Sequence, residues 1–210
     1  MFKKYFYNRF FILYFFPFIF GSLTVLSFEP FNFTIINFII FPLFFYLIVY
    51  INKKSKSIYR IKPHKKNLFI LGTVFGFGYY FSGIHWISHS LTFDENFQYL
   101  IPLSLTIIPL FLSLFFSLVT FSIGPYLKFN YASVLLFSGS LAFSDYLRAK
   151  ILTGFPWNLW VYSFSWSTEI LQILNKIGLF AFNLILITAL LSPAILFFNN
   201  ISKIKKFIII

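Results

Sequence analysis

An all-α, polytopic membrane bundle of about six transmembrane helices is what the sequence predicts, and three observations predict it. The chain is 59% hydrophobic and only 10% charged over 210 residues, which leaves too little polar surface for a soluble domain of that size. Its apolar residues fall into six stretches, each near the length that a bilayer core of about 30 Å demands of a helix. Between them, Lys and Arg gather in short hydrophilic breaks, as they do in loops beside membrane spans. No stretch shows the period-two alternation of an outer-membrane barrel, and in lipid a helix pairs its own backbone groups.

Composition also narrows function. The net charge of +12 invites a nucleic-acid reading, but basic residues placed in loop breaks fit a membrane topology better than a DNA-binding face. There is no cysteine, so these residues hold no disulfide, thiolate metal site or cysteine nucleophile. The 35 Phe come with heavy use of Ile, Tyr, Asn and Lys, all with A/T-rich codons, so no single Phe carries functional weight.

The stretches are taken in chain order, as one transmembrane domain over 1–210. The first, 10–27, follows "MFKKYFYNRF"; it is as long as a full span and no small-residue cleavage site ends it, so it reads as a helix rather than a signal peptide. The second, 34–51, runs into "NKKSKSIYRIKPHKKN", whose Lys53, Lys54, Lys56, Arg60, Lys62, Lys65 and Lys66 come without an acid. That loop is therefore expected in the cytoplasm, which places the N-terminus, Lys128 and the Lys203 to Lys206 cluster there too. The third, 68–91, carries Gly72 and Gly76, then Gly78 and Gly83, and small residues four apart let helix backbones approach closely. The fourth, 99–123, follows the acidic "TFDENFQ", and the fifth, 131–147, leads into "LAFSDYLRAK". The sixth, 170–192, carries Lys176 close enough to its edge to snorkel. Four of the five acids, Glu29, Asp94, Glu95 and Glu169, fall opposite the basic loops, with Asp145 near the outer end of the fifth stretch; Arg148 and Lys150 break the pattern. The closing "KIKKFIII" reads as the opening of a seventh span, so the chain is expected to be truncated.

Several side chains invite chemistry. His85 and His89 are four apart and share one helix face with Ser82, but Trp86 stands where a zinc protease needs Glu and no third ligand is evident. Trp86, Trp157, Trp160 and Trp166 fall near the outer boundary, where indoles concentrate for physical reasons alone. Asp145 and Arg148, three apart, are able to pair; ionisable residues at membrane depth are functional candidates, and a snorkelling Arg anchored by Asp is the equal alternative. Residues 151–162, "ILTGFPWNLWVY", are too broken for a span and too aromatic for an ordinary loop. Gly154 permits a turn, Pro156 removes a donor and disfavours helix at Phe155, and Thr153 and Asn158 are able to bond the freed backbone groups. Irregular backbone at membrane depth must be packed in protein or line a cavity.

"DYLRAKILTGFPWN", followed by "YS" and "LQILNKIGLFAFNLI", resembles the signature of apolipoprotein N-acyltransferases, where a carboxylate-aromatic-Leu-Arg-Gly run leads into Thr-Gly-Phe-Pro-Trp. "LSFEPFNF" is similar to the family's aromatic-Pro-Pro-Phe turn, and "GFGYYFSGIHWI" to its Gly-rich third span. The chain departs from the pattern with Asp145 for Glu, Ala149 for Gly, and Glu29 before Pro30 for Pro. The resemblance implies an inner-membrane protein whose partners are the bilayer, a phospholipid acyl donor and a diacylglyceryl lipoprotein acceptor; no nucleic acid and no cofactor are implied. The family's Glu-Lys-Cys centre sits in a nitrilase-like domain with no counterpart here, so no catalytic residue maps onto this chain, and that domain would be separately encoded or lost. By the same resemblance, Trp86, Asp145, Arg148, Thr153, Gly154, Phe155, Pro156, Trp157, Asn158 and Tyr162 would surround a membrane-level lipid cavity, with Arg148 as phosphate or structural anchor. A non-catalytic lipid- or lipoprotein-binding protein is the main alternative. A small transporter is a further one, although no inverted repeat or matched pair of broken helices is evident.

Overall fold

The computed structural model describes residues 9–55, 61–151, 154, 156 and 158–198. Most of them are helical, with no strand among them. Seven helices follow in order: α1 (Phe11–Ser27), α2 (Ile35–Ser55), α3 (Ile61–Gly83), α4 (Ile101–Ile123), α5 (Tyr131–Lys150), α6 (Thr168–Ile177) and α7 (Leu179–Leu191). Short 3-10 segments at His85–Thr92, Glu95–Leu100, Gly124–Tyr126, Trp160–Phe164 and Ser192–Phe197 join or extend them.

Local chemistry sets the helix ends. In α5 the Asn130 side chain accepts from the Ser133 N–H at 2.9 Å, while Ser133 Oγ accepts from the Lys128 N–H at 2.9 Å, so two backbone donors at the helix start are satisfied reciprocally. Lys53 and Lys54 occupy the last turn of α2, where they favour the negative end of the helix dipole. Three stretches are long and apolar enough to cross a membrane, Ile35–Lys54, Glu95–Tyr126 and Leu179–Phe197, and a fourth is so if His64–Gly83 and His85–Thr92, bent by 46°, form one span. α1 is apolar but shorter. α5 has the length, but its four serines, Asp145 and Arg148 dilute its apolarity.

Two expected spans are broken. The third stretch, 68–91, stays α-helical only to Gly83 and continues as the 3-10 segment, so His85 and His89 are not neighbours on an α-helical face. His85 Nδ1 lies 2.8 Å from the Ser82 carbonyl oxygen, and among the described residues no group of three His, Cys, Asp or Glu comes together to hold a metal. The sixth stretch, 170–192, divides at Gly178, whose φ of +84° lies in the region that favours glycine.

Close backbone contact organises the bundle around α3. A Cβ at Gly78 would overlap the Phe18 carbonyl of α1, and one at Gly72 would overlap Thr120 Oγ1 of α4. Thr120 Oγ1 donates to the Leu68 carbonyl at 2.8 Å, and the Thr73 and Ser117 hydroxyls meet at 2.7 Å. Small residues and hydroxyls are what membrane helices use to associate. The core beside this seam is aromatic: Phe44 stacks on Phe75 at 3.8 Å, and Trp160 stacks on Tyr79 at 4.4 Å while meeting Phe41 edge-on at 4.6 Å. Trp160, expected in an interfacial belt, is 1% exposed; its ring finds a better partner in Tyr79 than in headgroups.

The two ends of the bundle differ in charge. At one end Arg9 donates to Asn67 at 3.1 Å, Lys53 sits 4.4 Å over the Phe129 ring, and Asn52 ties α2 to the turn after α4 through the Pro125 and Leu127 carbonyls. The other end gathers the turn at Phe28–Phe33, the close of α3, the close of α5 and the segment from Asn158 to Ser167, bridged by Ser165 Oγ donating to Glu29 at 3.3 Å.

Candidate functional site

At this second end a buried polar node fixes the backbone beyond α5. Asp145 and Arg148, one turn apart near the end of α5, are 6% and 2% exposed. Arg148 Nη2 donates to Asp145 Oδ1 at 3.0 Å, and Asn183 Nδ2 of α7 donates to Asp145 Oδ2 at 2.9 Å. Asn183 Oδ1 in turn accepts the Val161 N–H at 3.2 Å. One carboxylate thus connects α5, α7 and the 3-10 turn at Trp160–Phe164. The Arg148 guanidinium also lies 5.4 Å from the centre of the Tyr80 ring on α3, a cation–π distance. Charges are tolerated at such depth when paired and hydrogen-bonded, and both oxygens of Asp145 are engaged.

The segment leaving this node is shaped by two residues with positive φ. The Gly154 N–H donates to the Ile151 carbonyl at 3.1 Å, closing a turn in which φ is +74° and a Cβ would stand 2.7 Å from the Ala149 carbonyl. Only glycine fits there without strain. Asn158, at φ +54°, adopts the left-handed region that asparagine tolerates better than most residues. The Tyr79 hydroxyl donates to the Asn158 carbonyl at 2.5 Å. At the end of α3, Gly83 leaves room for the Asn158 amide, which a Cβ would overlap.

The node and the segment bring six of the expected residues to one end of the molecule: Asp145, Arg148, Gly154, Pro156, Asn158 and Tyr162, the last four half-buried. Trp86 stands on the 3-10 segment after α3, 47% exposed. Thr153, Phe155 and Trp157 lie outside the described residues. The Tyr162 phenol is pushed above its ordinary range by burial, with the Arg148 charge acting the other way. Sequence reasoning missed Asn183, Tyr79 and Tyr80. The signal for Asn183 was in plain view as a lone amide within "LFAFNLILIT", because a polar side chain in an apolar helix seeks a partner. The two tyrosines offered no comparable mark within a chain of 13 Tyr.

Chemically the node is a clamp. Its acid accepts from an arginine and an amide, and among the described residues no group of three His, Cys, Asp or Glu comes together to hold a metal. What it does is tie the 3-10 turn at Trp160–Phe164 to α5 and α7 at the end of the bundle.

The family model for the apolipoprotein N-acyltransferase N-terminal domain matches residues 20–191. The chain is similar to the apolipoprotein N-acyltransferase of Rhodopseudomonas palustris, with 32% identity over 178 residues, covering 84% of this chain and 32% of that one. It is 29% identical over 182 residues to the protein of that name from Brucella suis, covering 85% and 34% respectively. The corresponding Bradyrhizobium diazoefficiens protein is 33% identical over 178 residues, covering 84% and 32%. The chain spans about a third of the length of these curated relatives.

Proposed function

The chain belongs to the apolipoprotein N-acyltransferase family, in its N-terminal domain, and from that membership we propose that it is the lipid-handling membrane domain of such an enzyme. In this reading an acyl chain passes from a phospholipid to the α-amino group of a lipoprotein's N-terminal diacylglyceryl-cysteine. The bilayer is the bacterial inner membrane, with about six spans and a cytoplasmic N-terminus. The basic end, with Arg9, Lys53, Lys54, Lys65, Lys66 and Lys128, then faces the cytoplasm by the positive-inside bias, and the end carrying the node faces outward.

The observation that carries the reading is the family match across 20–191, which takes in every residue of the node and the segment it holds. Asp145, Arg148 and Asn183 act as positioning residues. Gly154, Pro156 and Asn158 set the path of the wall, Trp86 and Tyr162 contribute its partly exposed rings, and Thr153, Phe155 and Trp157 complete it against acyl chains. An acyl-enzyme on sulfur requires a cysteine, which these 210 residues lack, so the thioester forms on another domain, within a longer chain or on a separately encoded nitrilase-like partner. The chain by itself is then inactive.

The test is acyl transfer by residues 1–210 joined to the remaining two-thirds of the Rhodopseudomonas palustris relative. Reconstituted in phospholipid vesicles, the fusion should add one acyl chain to a diacylglyceryl-cysteine peptide, read by mass spectrometry, while the 210 residues alone add none. Trp157→Ala and Arg148→Ala should each slow the fusion by on the order of 10²-fold, the effect of misplacing a substrate-positioning element. An inserted, folded fusion without transfer would favour a non-catalytic lipid-binding protein. Full rates in both variants would reduce the segment to a connector.

A further inference from the structure

On the far side of α5 from Asp145 and Arg148, α4 and α5 part to leave an apolar recess of about 590 Å³. Its walls are Phe115 and Leu118 of α4 with Phe143 and Leu147 of α5, and Gly139 and Ser140 open its floor. A Cβ at Gly139 would meet nothing within 4 Å. The polar group near the outer end is already satisfied, since Ser144 Oγ donates to the Phe115 carbonyl at 3.3 Å. A recess lined this largely by apolar side chains is filled by apolar matter. From Leu135 to Ile151, both on its lining, α5 rises roughly 24 Å, more than the roughly 15 Å of hydrocarbon in one leaflet.

A charge on the same stripe of α5 selects among occupants. Lys150 continues the helical stripe of Phe143 and Leu147, at four- and three-residue steps, and directly precedes Ile151 on the lining. It is exposed, and the one ion pair among the described residues, Arg148 with Asp145, does not include it. A second copy packed here about a two-fold axis along the membrane normal would bring two Lys150 side by side without an acid. A phosphate ester at headgroup level supplies the missing charge and, beneath it, the chain.

We propose that this recess holds one acyl chain of an anionic glycerophospholipid whose phosphate pairs with Lys150. The site is separate from the node and does not rest on the acyl-transfer reading. It also gives a local job to the one exposed cation of α5 that departs from the charge bias of the loops.

Native mass spectrometry of the full 210-residue chain tests it, with the protein purified in detergent and given equal amounts of phosphatidylglycerol and phosphatidylcholine with matched chains. The protein should retain one lipid, enriched roughly fivefold for phosphatidylglycerol, the contribution of about one lysine at a membrane surface. Gly139→Phe fills the recess and should abolish retention. Lys150→Ala should keep a lipid and lose the headgroup preference. Retention unchanged in Gly139→Phe, equal retention of both lipids by the unmodified chain, or a dimer that Gly139→Phe dissolves would each overturn the proposal. Should Gly139→Phe fail to fold, Lys150→Ala decides alone, and a preference unchanged by it also overturns the site.

Discussion

Removing either partner from the Asp145–Arg148 pair leaves its opposite charge buried. Asp145→Ala or Arg148→Ala should therefore lose about 3–5 kcal/mol of stability, read by reversible unfolding in bicelles. Asn183→Leu should lose less, about 1.5–3 kcal/mol, the range for a hydrogen bond to a charged group. At this scale the sequence was partly legible. Three-residue spacing announced that Asp145 and Arg148 were able to pair, yet left a functional intramembrane site and a snorkelling headgroup anchor equally open. The geometry supplies what spacing lacked, the Asn183 amide on the second carboxylate oxygen and the Tyr80 ring against the guanidinium. Trp160 was misread for a physical reason: its position near a boundary suits a belt residue, and only tertiary packing puts its ring against Tyr79.

Helices depend on features that composition hides. The stretch 170–192 is apolar enough to read as one span, but α6 is amphipathic, with Ile170, Ile173, Leu174 and Ile177 recurring at helical spacing and Glu169, Gln172 and Lys176 between them. It has no buried residue, and such a helix suits the plane of an interface. Gly178 then turns the chain into α7. The start of α6 is held by Ser167, whose Oγ accepts from the Ile170 N–H at 3.4 Å and donates to Glu169 at 3.0 Å. The Glu169 carboxyl is held below its ordinary range by a backbone N–H and by Ser167. A depressed carboxyl stabilises the fold above its unfolded pKa, about 4.3, and that stability is lost as pH falls through the lower folded value. Amide protection at Thr168–Ile170, taken relative to the intrinsic exchange rate at each pH, should fall selectively below about pH 4, and Glu169→Gln should remove the dependence. In α3 the glycines were legible as a packing face, and the structure assigns their partners. Gly72→Leu should cost about 1–3 kcal/mol by pushing α4 away, seen as slower cross-linking between cysteines placed at Thr73 and Ser117.

Among the described residues Arg9, Lys53, Lys54 and Lys128 lie at one end and the polar node at the other, where Arg148 and Lys150 are the exceptions; loop charge suggests such a separation without tertiary information. The absence of cysteine makes it directly testable. A Phe93→Cys protein in intact spheroplasts should react with a membrane-impermeant maleimide, while Lys53→Cys should react only after the membrane is opened. The reverse pattern would invert the topology. How residues 158–162 are held was not legible, because it depends on the Tyr79 hydroxyl of α3 at the Asn158 carbonyl and on the Asn183 amide of α7, itself held by the α5 carboxylate, at the Val161 N–H. The account's central claim is that this clamped segment faces acyl chains. A phospholipid carrying a photoreactive group on its acyl chain, incorporated into vesicles with the protein, tests that most directly. Peptide mapping should find cross-links within 151–162 and at Trp86, reduced by excess unlabelled phospholipid. Labelling confined to the lipid-facing sides of α2 and α4, with none between 151 and 162, would contradict it.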